Sequence, residues 1–325
     1  MKFIDLHCDT LMRTFLYKQT DMNRMDGMVS FEKMQQGAQM AQFFAMWMLS
    51  PDITDHVPNV EKVSDEEYIS RLQATFEQNL ERHSDKIAFA GNAEDMLKNE
   101  SSGRMSAFLA IEDGRSVEGR VENIKRYYDM GVRLISLTWN YENCFGFPNS
   151  KDPEKMAKGL KPFGREAIEY MNELGMLVDV SHLSDGGFVE VAEISKKPFV
   201  ASHSNCRELS PHTRNLTDEM LRILADKGGV AGLNFAPIFL TPDAKGKDAT
   251  LELMSAHIRH MIKVGGEELP ALGSDFDGIE GNIEVPDSSK MHLLLDRLQK
   301  DGVKASIVEK VAFANAQRLI ETSMR

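Results

Sequence analysis

The chain has 325 residues, of which 42% are hydrophobic and 27% charged, and this composition is typical of a soluble globular protein. Its formal net charge of −12 argues against a nucleic-acid partner, because such a partner would need a basic face. Its three scattered cysteines exclude a disulfide framework and a cysteine-rich zinc site.

Apolar runs along the chain predict eight strands, and most of these runs are followed by a segment with helical spacing. The predicted strands cover residues 3–6, 40–49, 106–112, 134–138, 176–179, 198–202, 230–235 and 269–273. The predicted helices cover residues 65–82, 92–99, 121–130, 162–174, 185–195, 217–227, 249–264, 290–300 and 304–321, and residues 51–64 are predicted to form a polar loop.

Strands that are joined by crossover helices must be parallel, and eight such units close a barrel. We therefore predict an α/β protein whose residues 1–325 form one domain, a (β/α)₈ TIM-like barrel with extra C-terminal helices. The length fits, because such barrels take roughly 250 residues plus insertions. The alternative is an open doubly wound sheet. It would be favoured by a glycine-rich phosphate loop after the first strand, and the sequence has no such loop there.

Metal-ligand residue types follow five of the predicted strands. His7 and Asp9 follow the first strand, and their i, i+2 spacing places both side chains on one face. In a barrel, the carboxyl ends of all strands meet at one mouth. The five strand ends together carry six ligand-type side chains, which is more than one tetrahedral zinc needs. Six suit a two-metal site with a bridging carboxylate and one group left for proton transfer. The complete set is His7, Asp9, Glu112, His182, His203 and Asp275.

The remaining histidines lie in predicted loops or helices. His257 and His260 are spaced i, i+3 on one predicted helix, which would suit a ligand pair. On an outer helix of a barrel, however, this pair is expected to lie at the surface.

Seven short stretches, in order along the chain, resemble the membrane dipeptidase (renal dipeptidase) family of metallopeptidases, peptidase family M19, within the amidohydrolase-like barrels. The set runs from the first residues to the last third of the chain and is highly specific, although no single piece is. The stretches are residues 5–9 (DLHCD), 111–114 (IEDG), 131–138 (GVRLISLT), 174–182 (LGMLVDVSH), 201–204 (ASHS), 214–215 (RN) and 273–278 (GSDFDG).

The resemblance implies a binuclear zinc dipeptidase that cleaves dipeptides by a metal-bridging hydroxide, with dipeptides that carry a D-residue as further candidate substrates. Two Zn²⁺ ions per chain are implied, although Mn²⁺ or Co²⁺ would suit the same ligands. The implied roles are one zinc on His7 and Asp9, the other on His182 and His203, a bridging catalytic Glu112, proton transfer by Asp275, and a grip on the substrate carboxylate by Arg214.

The sequence departs from the better-known family members at two substrate positions. Where those members carry a histidine, this chain has Trp139 and Asn140, and we assign Asn140 to substrate binding because its amide can donate a hydrogen bond. Phe239 stands where a tyrosine is common in the family, so one hydroxyl contact is missing.

Animal members of the family are secreted and lipid-anchored. This chain shows no signal peptide, no anchor signal and no run of the ~18 apolar residues that a membrane span needs. We therefore expect a cytoplasmic protein with no membrane partner. A homodimer is expected from the family and from the frequency of two-fold assemblies.

Two other functions fit the same residues. The first is another metal-dependent barrel hydrolase that acts on a cyclic amide, a lactone or a phosphoester, since the fold alone does not fix the substrate. Many such enzymes show His-x-His after the first strand, and this chain has His-x-Asp. The second is a non-catalytic binding module, which would be expected to lack some of the metal ligands.

Overall fold

Eight parallel strands close into a barrel in the computed structural model of the chain, which describes residues 1–50 and 60–325. The closing contact joins the strands at Gln39–Trp47 and Met105–Glu112 in seven register pairs, from Ala41 opposite Ser106 to Trp47 opposite Glu112. With three short additional strands, the described residues form β1 (Phe3–Cys8), β2 (Gln39–Trp47), β3 (Ile87–Phe89), β4 (Met105–Glu112), β5 (Val132–Ser136), β6 (Leu177–Asp179), β7 (Val200–Ala201), β8 (Val230–Leu233), β9 (Asp248–Ala249), β10 (Pro270–Leu272) and β11 (Asn282–Ile283).

The barrel confirms the predicted fold class. Its strands follow the order β2, β1, β10, β8, β7, β6, β5, β4, and all eight correspond to predicted strands. The three additional strands were not predicted, because two or three residues are too few to show a period. β3 pairs with the beginning of β4, and β9 pairs with β11 in a separate two-stranded sheet.

Helices follow most of the strands on the outside of the barrel. Several begin at a hydroxyl that accepts a backbone N–H, as Thr217 does from Met220 at 3.2 Å. In the described part of the chain the α-helices cover Thr10–Leu16, Phe31–Gln36, Asp65–Arg82, Ala93–Ser101, Val121–Asp129, Pro153–Met156, Pro162–Leu174, Asp185–Ile194, Asp218–Asp226, Pro237–Leu240, Leu251–Gly265, His292–Lys300, Ala305–Glu309 and Asn315–Ser323.

One predicted helix is interrupted, and one predicted loop lies mainly outside the described residues. The predicted helix at residues 304–321 is divided by a π-helical turn at Lys310–Ala314. The predicted polar loop at 51–64 falls mainly on residues outside the described part. No helix within residues 1–50 and 60–325 is long and apolar enough to cross a membrane.

The interior of the barrel is filled by side chains that alternate along each strand. On β4, Phe108 and Ala110 belong to the inner cluster, and Phe108 stacks on Phe43 of β2 with ring centroids 4.6 Å apart. Two residues after Ala110, the same inward row reaches Glu112. The barrel core therefore ends, at the carboxyl edge of the strands, in a buried carboxylate.

Candidate metal centre

The six predicted ligand-type residues converge at the mouth of the barrel, as the strand-end pattern predicted. All six are buried, with between 0% and 9% of each residue exposed. Two backbone turns help to aim them, because His182 and Asp275 adopt left-handed conformations with φ of 69° and 61°. Non-glycine residues adopt this conformation rarely, and such strain concentrates at functional sites.

The carboxylate of Glu112 lies between two groups of histidines. Its Oε2 is 3.4 Å from Nε2 of His7. Its Oε1 is 2.9 Å from Nε2 of His182 and 3.4 Å from Nε2 of His203. Each oxygen of one carboxylate thus faces a different half of the site, which is the arrangement that a bridging ligand needs.

The half of the site nearest β1 has polar atoms that no described residue satisfies. Both ring nitrogens of His7 and Oδ1 of Asp9 are buried without a hydrogen-bond partner among the described residues, and Oδ1 lies 3.6 Å from His7 Nε2. Burial alone would lower the pKa of His7, but Glu112 and Asp9 raise it well above its usual range. This half of the site therefore favours a positive charge.

The other half of the site contains His182 and His203, whose ring orientations are fixed from behind. Nδ1 of His182 lies 3.2 Å from Oδ1 of Asn140, and Nδ1 of His203 lies 2.7 Å from Oγ of Ser202. Burial lowers the pKa of His182 to about 3 and that of His203 well below its usual range. Both rings are therefore neutral, with Nε2 turned towards Glu112.

A buried relay sets the tautomer of His203. Oγ of Ser202 donates to Oδ2 of Asp179 at 2.6 Å, so this hydroxyl must accept the bond from Nδ1–H of His203. Asp179 also accepts from the backbone N–H groups of Ser181 and Ser202, both at 2.9 Å, and from Oγ of Ser136 at 2.5 Å. The lone pair of His203 Nε2 is thereby directed into the site.

Asp5 is a second buried carboxylate that accepts several hydrogen bonds, and it supports the end of β1. Its carboxylate accepts from N and Oγ of Ser274 at 2.9 Å and 2.6 Å, and from the backbone N–H of His7 at 3.3 Å. These bonds tie the end of β1 to the segment after β10. The sequence analysis missed Asp5, Asp179, Ser202 and Ser274. The available signal was that a serine directly precedes His182, His203 and Asp275.

Asp275 lies at the edge of the cluster, with Oδ1 3.8 Å from Nε2 of His7. Its Oδ2 accepts a hydrogen bond from Nδ2 of Asn234 at 2.8 Å, a residue that the sequence analysis did not single out. Burial, with a further contribution from Glu112, raises the pKa of Asp275 to about 6 despite the opposing effect of His7.

A cavity of 560 Å³ opens above the cluster and is lined by Asp9, Glu112, His182 and Asp275. Arg214 and Asn140, the two predicted substrate-binding residues, also line it. A volume of this size suits a small organic ligand. Its walls include several apolar and aromatic side chains, among them Met12, Tyr17, Trp47, Trp139, Ile238 and Phe239.

The placement of Asn140 adds a contact that the sequence did not predict. Its side-chain oxygen is directed to His182, so the residue supports a ligand-type histidine as well as lining the cavity. The expectation for His257 was wrong. This residue is fully buried, with Nδ1 accepting from the backbone N–H of Cys206 at 3.1 Å and Nε2 lying 3.1 Å from the carbonyl of Leu240.

The donor set fits bound divalent cations. Two overlapping groups, His7–Glu112–His203 and His7–Asp9–Asp275, each have ligand atoms within 4.8 Å of one another. Imidazole nitrogen and carboxylate oxygen suit zinc and similar ions. A parallel eight-stranded barrel with such a cluster at its mouth is an arrangement that metal-dependent hydrolases use.

Comparison with known proteins identifies the family. The model of the family "Membrane dipeptidase (Peptidase family M19)" matches residues 1–324. The dipeptidase verJ of Clonostachys rogersoniana is 31% identical over 299 residues, which are 90% of this chain and 74% of that protein. The chain therefore belongs to the membrane dipeptidase family, peptidase family M19, and is a metallo-dipeptidase of the hydrolase class.

Solved structures share the fold. The dipeptidase AC of family M19 has a TM-score of 0.89 and 23% identity, covering 100% of this chain and 99% of that one. A metallopeptidase from Rhodobacter sphaeroides, solved with a phosphinate mimic of the dipeptide L-Ala-D-Ala, has a TM-score of 0.88 and 24% identity, covering 99% of both chains.

Proposed function

We propose that this chain is a binuclear zinc dipeptidase that hydrolyses the single peptide bond of dipeptides, including dipeptides with a D-residue at the C-terminal position. One observation carries the two-metal part of the proposal. Glu112 presents one carboxylate oxygen to His7 and the other to His182 and His203, so a single side chain can serve two cations.

The proposed ligands are His7 and Asp9 for one ion, His182 and His203 for the other, and Glu112 for both. Bound divalent cations would supply an activated water at neutral pH and polarise the peptide carbonyl. Zinc is proposed because imidazole nitrogen and carboxylate oxygen are among its usual ligands. Mn²⁺ or Co²⁺ would suit the same set.

Asp275 is proposed to move protons. Asn234 holds one of its carboxylate oxygens, and the other faces the cluster close to His7. The residue also lines the cavity. In this position the carboxylate can accept a proton from the attacking water and return it to the leaving amine, first as a general base and then as a general acid.

Arg214 is proposed to fix the C-terminal carboxylate of the substrate. It is 6% exposed, and within residues 1–50 and 60–325 its guanidinium donates only to neutral oxygens, Oγ of Ser204 at 3.1 Å and the carbonyl of His203 at 3.3 Å. Its Nε has no partner among the described residues. Burial lowers the pKa of Arg214 to about 10, so the group remains charged at neutral pH. A buried cation of this kind gains from a carboxylate partner that arrives with the substrate.

The substrate length follows from these positions. A substrate whose terminal carboxylate is held by Arg214 while its scissile bond lies at Glu112 is limited in length, because both residues line the same cavity, and we propose that one residue lies between the two groups. Acceptance of a D-residue is supported by the Rhodobacter sphaeroides structure, whose ligand mimics L-Ala-D-Ala. A screen of dipeptides with L- and D-residues at each position would define the preference.

A double cycle of enzymes and substrates tests this function. The enzymes are wild type and Arg214→Ala, and the substrates are a dipeptide and the same dipeptide with its C-terminal carboxylate amidated. Loss of a charge-assisted pair is worth on the order of 2–3 kcal/mol, or about 30–150-fold in kcat/KM. Arg214→Ala should lose this factor on the free dipeptide and almost nothing further on the amide. If the loss caused by Arg214→Ala and the loss caused by amidation simply multiply, Arg214 does not bind the carboxylate.

Three further expectations stay predictions: a single domain, a cytoplasmic location and a homodimer. Light scattering of the purified protein would measure the oligomeric state directly. A mass of twice 36.6 kDa would agree with the homodimer.

A further inference from the structure

We propose that His212 is a second, uncharged hydrogen-bond donor to the C-terminal carboxylate of the substrate, acting beside Arg214. This inference rests on the proposed dipeptidase function. It assigns a role to a histidine that belongs neither to the metal ligands nor to the proton-transfer group.

The tautomer of His212 follows from one hydrogen bond. The backbone N–H of Arg214 donates to Nδ1 of His212 at 3.1 Å. A nitrogen that accepts carries no proton, so the neutral ring must carry its proton on Nε2. Burial, together with the positive charges of Arg214, Lys151 and Arg207, lowers the pKa of His212 to about 4. The ring is therefore neutral at the pH of the reaction, and Nε2–H is a fixed donor.

The imidazole lies beside the proposed carboxylate site. His212 and Arg214 both line the cavity, and both contact the ring of Phe239. The His212 ring meets Phe239 edge-on with centroids 4.7 Å apart, and Cζ of Arg214 lies 5.4 Å from the centroid of the same ring. The two donors therefore flank one aromatic side chain. Within the described part of the chain, Nε2 of His212 has no hydrogen-bond partner.

An uncharged donor suits this position for an electrostatic reason. A second cation next to the buried Arg214 would be repelled by it in the free enzyme, whereas a neutral imidazole adds a bond without that cost. A carboxylate has two oxygens and can accept from both groups at once. Because this interaction is equally strong in the ground state and the transition state, it should lower KM with little effect on kcat.

Two substitutions separate the two nitrogens of the ring. In H212N, the Asn side-chain oxygen can still accept from the N–H two residues later, which is the geometry of an Asx turn. This variant keeps the turn that positions Arg214 but loses the donor in the cavity. In H212Q, the longer side chain can present an N–H near the position of Nε2 while losing the acceptor at the turn. H292N, at an exposed histidine on a C-terminal helix, is the matched control.

The experiment measures kcat and KM of the zinc-loaded full chain on a dipeptide and on its C-terminal amide. Loss of a neutral donor to a charged acceptor is worth about 10–100-fold. H212N should lose this factor on the free dipeptide, mainly through KM, and a clearly smaller factor on the amide, whose carbonyl oxygen is an uncharged acceptor. H212Q should lose less than H212N, and H292N should lose nothing. Thermal unfolding of each variant checks that the fold is kept.

Two results would overturn the inference: H212N equal to wild type on the free dipeptide, or H212N losing the same factor on both substrates. The second result would show that the ring acts only through the turn. Failure of the dipeptidase function itself would look different, because wild type would then cleave none of the dipeptides. The ¹⁵N shifts of the His212 ring provide a readout that does not depend on turnover, and a proton on Nδ1 would contradict the proposed donor.

Discussion

Nε2 of His182 lies 3.1 Å from Nε2 of His203, and neither nitrogen has a proton to share. The other ring nitrogen of each residue is the donor, to Asn140 in one case and to Ser202 in the other. Two lone pairs and the Oε1 atom of Glu112 therefore point at the same small space. Such a contact is repulsive unless a cation lies between the groups, so the site is built around a positive charge.

The first prediction concerns one half of the metal centre. His203→Ala should lower the bound metal by about one equivalent per chain, because three protein ligands plus water is the working minimum for a catalytic zinc. Elemental analysis of the purified variant measures the loss, and circular dichroism should show an intact fold. His260→Ala is the matched control, since that ring bonds to Asp218 on the outside of the barrel. Unchanged metal content in His203→Ala would remove this residue from the ligand set.

The second prediction concerns the relay behind His203. Ser202→Ala breaks the link between Asp179 and the ring, so Nε2 is no longer held as the acceptor. Loss of such a supporting group typically costs 10–100-fold in metal affinity. Competition with a chromophoric chelator should show that one of two metals is weakened by about this factor. Ser255→Ala, which removes a hydroxyl bonded to Asp301 far from the site, should bind both metals normally. Equal affinities in Ser202→Ala and wild type would contradict the relay.

The third prediction concerns proton transfer. Asp275→Asn keeps the shape of the side chain but removes the base, and kcat should fall by roughly 10²–10⁴. Both metals should stay bound in this variant. Asp243→Asn, at an exposed aspartate, serves as the control for the chemical change. Near-normal turnover of Asp275→Asn would mean that the residue only supports its neighbours.

The fourth prediction concerns acid stability. Burial lowers the pKa of His257 to about 4. In the unfolded chain the same histidine has a pKa near 6.5, so between pH 4 and pH 6.5 the unfolded chain binds more protons than the folded one. The contribution of the neutral His257 ring to the free energy of unfolding is complete above pH 6.5 and is lost as the pH falls towards 4. In metal-depleted protein, the decrease in the free energy of unfolding between pH 7 and pH 4.5 should be smaller in His257→Gln than in wild type, by about 2–3 kcal/mol.

Denaturant unfolding at the two pH values measures this difference. The metal is removed because acid would otherwise release it by protonating the metal ligands. The ligands themselves contribute equally to the pH dependence of wild type and variant, so their contribution cancels in the comparison. His260→Gln provides the matched control on the same helix. If the two variants show the same change with pH, the buried ring of His257 does not titrate as the structure requires.

The convergence of the ligand-type residues could be predicted from the sequence because it depends only on topology. His7, Glu112 and His203 each follow an apolar run, and parallel strands in a barrel end at one mouth. Contacts made through loops could not be predicted in this way. The bond between Asn140 and His182 depends on the path of the segment after β5, which no period in the sequence describes.

The buried position of His257 could have been inferred. Met254, Ile258 and Met261 form the inward stripe of the helix Leu251–Gly265, and His257 lies within that stripe at i+3 from Met254. The interpretation of the helix as an outer one led to the wrong expectation, because the inner face of an outer helix is also buried. For His212 no comparable signal exists, since its tautomer depends on a backbone N–H within a loop.

A zinc titration of metal-depleted protein tests the two-metal proposal most directly. Zinc is added in fractions of an equivalent, and hydrolysis of a dipeptide is measured at each step. If Glu112 joins two ions in one working centre, activity should reach its plateau only near two equivalents per chain. Full activity at one equivalent, with no further rise at the second, would contradict the binuclear centre.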